Sequence, residues 1–164
     1  MMFRGAGQLV ASAVAFRWLS QAVSDLSRAD CIPVASACTG WPAWQTDITA
    51  ARLDGPFEPG NSFTWTSYDF TVTSTIYAVA ERARTLWGGA NLGITGTHEW
   101  VYTQTPTGTH VATHESFSGQ PVEADPTGMQ TGLDKSLTDW LGHLKATAES
   151  ASPLQAGGVP GRAR

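Results

Sequence analysis

His98 and Glu115 are the two side chains in this sequence best placed to exchange a proton, and a turn puts them in reach of each other. Pro106-Thr107-Gly108 separates two alternating, threonine-rich runs, 94–105 and 109–118, and the pattern predicts a β-hairpin. A loop over 105–108 sets Gln104 opposite Thr109. His98 then faces Glu115, Trp100 faces Thr113 and Tyr102 faces Val111, all six on one side of the hairpin. A slip of one residue would undo that pairing. Burial lowers an imidazole pKa and a neighbouring carboxylate raises it, so the pair is expected to titrate near neutrality. The arrangement suits proton transfer, and it equally suits a structural hydrogen-bonded pair.

Other reactive patterns are weak. Gly88-Gly89 and Gly93-x-x-Gly96 lack the strand–turn–helix setting of a phosphate loop and read as a bend or bulge region. No Gly-x-Ser-x-Gly elbow occurs. Four scattered histidines do not have metal-site spacing, and no metal or cofactor is implied. Cys31 and Cys38 make neither a disulfide scaffold nor a zinc site, which points to a reduced, cytoplasmic protein. The chain of 164 residues has a formal net charge of −4 and only two lysines, Lys135 and Lys145, so a nucleic-acid partner is not expected. No stretch approaches the ~18 apolar residues of a membrane span. The mild apolar stretch 9–16 is cut short by Arg17 and is not a clean secretory signal.

The elements that must position the pair are mostly strands. Residues 48–53, 62–67, 70–78, 85–88 and the two hairpin arms read as antiparallel strands, with Asp54-Gly55-Pro56 and Glu58-Pro59-Gly60-Asn61 as turns. Phe70, Val72, Ser74, Ile76 and Ala78 alternate with Thr71, Thr73, Thr75 and Tyr77, the clearest two-faced strand in the chain. Asp125-Pro126 opens a long amphipathic helix to about 149, on which Met129, Leu133, Leu137, Trp140, Leu141, Leu144 and Ala148 recur at spacings of three and four. Residues 8–27 read as a further amphipathic helix, 31–40 as a linker and 150–164 as a disordered tail.

Strands followed by one long helix are the layout of a helix-grip fold. Trp41-Pro42-Ala43-Trp44-Gln45 with Asp47-Ile48 resembles the lead-in to the second strand in the START-like (SRPBCC) superfamily of polyketide cyclases and lipid-transfer proteins. His98-x-Trp100-x-Tyr102-x-x-x-Pro106, Gly108 and Glu115-x-Phe117-x-Gly119 resemble its last hairpin. The match covers about 41–149. The resemblance implies an α+β fold, a curved antiparallel sheet wrapped around the C-terminal helix. The family opens on a strand and a short helix pair, and residues 1–40 match neither. The expectation is therefore an atypical N-terminal segment, with the first strand missing or degenerate, or a segment arising from a shifted frame or start.

The same resemblance implies an apolar pocket between sheet and helix that holds a hydrophobic small molecule, whether polyketide, aromatic or lipid. The inward candidates are Trp65, Ile76, Trp87, Trp100 and Phe117, with Met129 and Leu133 from the helix, all of which also serve as ordinary core residues. Trp41 and Trp44 are expected to plug one end of the barrel. His98 and Glu115 would be the catalytic pair of a cyclase- or dehydratase-like reaction, which moves protons to or from carbon or oxygen. A non-catalytic carrier or sensor, and a co-chaperone-like regulator, are the alternatives.

Overall fold

The computed structural model describes residues 15–24 and 38–151. Seven strands form one antiparallel sheet: β1 (Ala15–Ser24), β2 (Ile48–Leu53), β3 (Ser62–Ser67), β4 (Phe70–Ala80), β5 (Arg84–Asn91), β6 (Ile94–Thr105) and β7 (Gly108–Ser118). Their order across the sheet is β1-β7-β6-β5-β4-β3-β2, a meander whose first strand closes on the last. A 3₁₀ helix (Cys38–Ala43) leads into β2, and two helices follow the sheet: a short α1 (Gln120–Ala124) and a long α2 (Pro126–Ala151). The expected α+β helix-grip architecture is present.

Alternation decides the sheet's faces. In β4 the side chains of Ser74 and Ile76 are buried while Thr73 and Tyr77 are exposed. Threonine hydroxyls on the outer face pair across strands, Thr64 with Thr73 at 3.3 Å and Thr66 with Thr71 at 3.1 Å. The ladder between β4 and β5 shifts register between Ile76 and Ala78, a β-bulge, whereas the β5–β6 ladder runs through Gly88, Gly89 and Gly96 without a shift. Asp125 accepts a hydrogen bond from the Gly128 amide (2.9 Å) and Pro126 occupies the first turn, which together start α2 where the sequence placed it. Leu133, Leu137, Trp140, Leu141, Leu144 and Ala148 are buried along one stripe of that helix.

The N-terminal expectation is corrected. Residues 15–24 form a strand, not part of a helix over 8–27, and the first strand is therefore neither missing nor degenerate. β1 pairs with β7 over its whole length, from Ala15 opposite Phe117 to Ser24 opposite Gly108. The apolar pattern there is broad enough to fit either period, and pairing with the open edge of β7 outweighs local propensity. Residues 8–14 and 25–27, most of the expected linker and the tail beyond 151 lie outside the described residues.

The main core is aromatic. Trp41, fully buried in the 3₁₀ helix, meets Phe63, Trp65, Trp87 and Trp140 at ring-centroid distances of 5.4, 6.3, 5.6 and 5.1 Å. Gln45, also fully buried, ties this segment to α2 by accepting a hydrogen bond from His143 Nδ1 (2.6 Å). A smaller cluster of Val122, Leu133 and Leu137 packs with Ile94, Phe117 and Met129.

Candidate functional site

The hairpin register is the one the sequence predicts. His98 pairs with Glu115, Trp100 with Thr113 and Tyr102 with Val111. On the other side of β7, Arg17 of β1 stands at the register position opposite Glu115. His98 is buried between two indoles, its ring centroid 4.6 Å from Trp87 and 5.4 Å from a parallel Trp100. His98 Nδ1 lies 3.6 Å from Glu115 Oε2, and its Nε2 lies 2.6 Å from Thr113 Oγ1. The Thr113 hydroxyl donates in turn to the backbone carbonyl of Glu99 (3.1 Å).

Burial governs both ionisations. Desolvation pushes His98 down to about 3, with His114 adding a repulsive contribution. Desolvation pushes Glu115 up to about 8. The expected near-neutral titration therefore belongs to the acid and not to the imidazole. At pH 7 both groups are mainly uncharged, so the contact between them is not an ion pair. Glu99, on the opposite face, pairs with Arg84 and has no place in this chemistry.

Glu115 borders a cleft of about 250 Å³ at the end of the sheet that carries the β3–β4 and β5–β6 turns. Trp65, Trp87, Phe117, Phe70, Val72 and Ile94 give it apolar walls, and Leu92 stands at its mouth. Ser74 accepts a hydrogen bond from Trp65 Nε1 (3.0 Å), which fixes that indole in the wall. Gly96 supplies floor. A methyl group there would sit 3.2 Å from the Phe117 ring and 3.9 Å from Glu115 Oε1. The missing side chain is what lets ring and acid lie down beside each other.

Of the residues expected to touch a ligand, Trp65, Trp87, Phe117 and Glu115 line the cleft. Ile76, Trp100, Met129 and Leu133 do not; the first two are core, and the helix pair belongs to the smaller cluster. His98 is behind the lining, screened by Glu115 and Trp87. No residue of α2 lines this cleft, which lies against the sheet rather than between sheet and helix. Sequence reasoning missed Phe70, Leu92, Gly96 and Thr113. Two of them had a legible signal: Thr113 by its register position two residues before Glu115 on the same face, and Phe70 by its alternation on the face of Ile76. Among the described residues, no three His, Cys, Asp or Glu side chains come together as metal ligands, and no helix is long and apolar enough to cross a membrane.

No family model and no curated protein matches the sequence. Solved structures do. Norcoclaurine synthase from Thalictrum flavum superposes with a TM-score of 0.66 at 14% identity, over 92% of this chain and 95% of that one. The di-domain aromatase/cyclase StfQ of the steffimycin biosynthetic pathway gives 0.69 at 13% identity, over 86% of this chain and 52% of that one, so the chain spans about half its length. A START superfamily protein from Mycobacterium smegmatis gives 0.65 at 10% identity, over 85% and 99%. Identities this low speak to architecture alone. The seven-stranded antiparallel meander, the C-terminal helix and these superpositions together give the chain a START-like helix-grip fold.

Proposed function

We propose that the protein binds an apolar small molecule, aromatic in part, in the cleft that Glu115 borders. The observation that carries this reading is the cleft itself: aromatic and aliphatic walls with one ionisable group among them. Ligand pockets commonly run from about 300 to 1,000 Å³. At about 250 Å³ this one suits a compact ring system better than a long lipid tail. Flat rings find indole and phenyl faces at Trp65, Trp87 and Phe117. A regulator acting without a ligand would have little use for such a cleft.

An environment-sensitive naphthalene dye tests this. The expected result is saturable binding to the wild-type chain, lost or weakened at least tenfold in Phe117→Ala. Absence of saturable binding in a cooperatively folded wild-type sample overturns the proposal.

One observation favours a second, catalytic reading of the same cleft. Glu115 keeps its proton at neutral pH because it is desolvated, so it can donate to a ligand oxygen as cyclase- or dehydratase-like chemistry requires. His98, pushed down to about 3, is no base at neutral pH; in this reading the acid alone touches the ligand. A polyketide-like aromatic ketone that turns over in wild type, and binds without turning over in Glu115→Gln, supports catalysis. Binding with no reaction in either form supports a carrier.

A further inference from the structure

Thr113 is fully buried, lies outside the cleft lining and contacts His98 Nε2 at 2.6 Å. A hydroxyl has one hydrogen, and a carbonyl oxygen can only accept. The Glu99 carbonyl, 3.1 Å away, is an acceptor in line for the Thr113 hydrogen. With the Thr113 hydrogen on that carbonyl, the 2.6 Å contact to His98 is a bond in which Nε2–H donates to Thr113 Oγ1. A neutral imidazole carries one N–H, so Nδ1 is left with a bare lone pair, and Nδ1 is the atom that faces Glu115 at 3.6 Å.

We infer that Thr113 is a positioning residue for the acid: by holding His98 in its Nε2–H form, it presents a lone pair to Glu115 and favours the protonated carboxyl over the carboxylate. At 3.6 Å a carboxylate facing that lone pair is repelled by it, whereas the neutral acid is not. Were the His98 proton on Nδ1, the N–H dipole would point at the carboxylate and favour the charged form instead. The other groups around the pair do not substitute for this control. Trp87, Trp100 and Trp140 are the rings against His98, the stripe of α2 toward the core is apolar, and Cys38 in the 3₁₀ helix is a neutral thiol pushed up to about 11 by burial. Glu99 and His114 lie on the outer face, and Arg17 of β1 holds the register position opposite Glu115.

The functional meaning rests on the reading of Glu115 as the acid of a ligand cleft, but the test is independent of any ligand. Two-dimensional ¹⁵N spectra of the ligand-free wild-type chain report the His98 tautomer, and ¹³C-carboxyl titration reports the Glu115 midpoint. The expected wild-type tautomer is Nε2–H. Thr113→Val, which keeps the shape and removes the acceptor, is expected to populate Nδ1–H and move the Glu115 midpoint down by about one pH unit. Thr113→Ser is expected to restore both. An Nδ1–H signal in wild type overturns the inference even if Thr113→Val does not fold, and so does an unchanged Glu115 midpoint in a folded Thr113→Val. Failure of dye binding with these spectra as expected would instead remove the ligand-cleft reading and leave the role of Thr113 standing.

Discussion

The molecule holds two aromatic neighbourhoods that share a wall and differ in what fills them. Around Trp41 the space inside the sheet is closed by the chain itself, with four rings edge-on or tilted against that indole. Trp65 and Trp87 belong to that packing and also to the neighbouring cleft, where no side chain of the described residues takes the corresponding place. The same residue types therefore serve as core on one side and as lining on the other. Composition does not separate the two; the position of the 3₁₀ helix and the absence of a side chain at Gly96 do.

Truncation on each side should break this symmetry most visibly. Trp41→Ala removes a fully buried indole from contact with four rings and is expected to cost about 3–5 kcal/mol in denaturant unfolding. Phe117→Ala removes a half-buried ring and is expected to cost about 1–2 kcal/mol while losing the dye. If the two changes cost stability equally and neither affects binding, the distinction between core and cleft fails.

Glu115 sharpens the comparison through pH. Its folded pKa, about 8, lies above the ordinary 4.5, so between those values the folded chain holds a proton that the unfolded chain has released. Stability from this group falls as pH rises through that window. His98 acts in the opposite sense. Its folded value of about 3 lies below 6.5, so the unfolded chain binds the extra proton and stability rises with pH from about 3 to 6.5. The two slopes oppose each other from about 4.5 to 6.5, and only the acid acts above. Wild type is expected to lose about 1 kcal/mol between pH 6.5 and 8, and Glu115→Gln to show no such loss. Chemical denaturation at those two pH values decides it, and equal slopes for both proteins would mean the acid is not buried as described.

How far the sequence reveals this arrangement depends on whether the determining contacts are local. The hairpin was legible to the residue, because a short turn fixes register and period two fixes the face. The long helix was legible because Asp125-Pro126 caps a three-and-four apolar repeat. β1 was not legible: Phe16, Trp18 and Leu19 fit a helix as well as a strand, and the partner that decides the matter lies about ninety residues away in β7. Three of the seven expected lining residues, Trp65, Trp87 and Phe117, reach the cleft. Ile76, Trp100, Met129 and Leu133 do not, because facing inward says nothing about whether the space ahead is empty, and that is set by distant residues such as Trp41. The ionisation of the pair was misjudged for a related reason. The carboxylate expected to hold a proton on His98 is itself neutralised by the same burial.

The smallest effect expected is also the one that separates packing from binding most cleanly. Leu92 turns the chain between β5 and β6 with φ of 48°, in the left-handed region, followed by Gly93 at 80°. Glycine and asparagine tolerate that conformation, and a leucine in it costs about 1 kcal/mol. The side chain is 68% exposed, so burial does not offset that cost, yet it stands among the cleft residues at the mouth. A residue retained only for folding would not be leucine here. Leu92→Asn is therefore expected to raise unfolding stability by about 0.5–1 kcal/mol and to weaken dye binding severalfold, as an apolar side chain is withdrawn from above the ligand. Stability and affinity move in opposite directions, which no general loosening of the fold can produce. If both rise together, or affinity is unchanged, Leu92 takes no part in the cleft, and the boundary between lining and surface lies deeper, at Phe117 and Glu115.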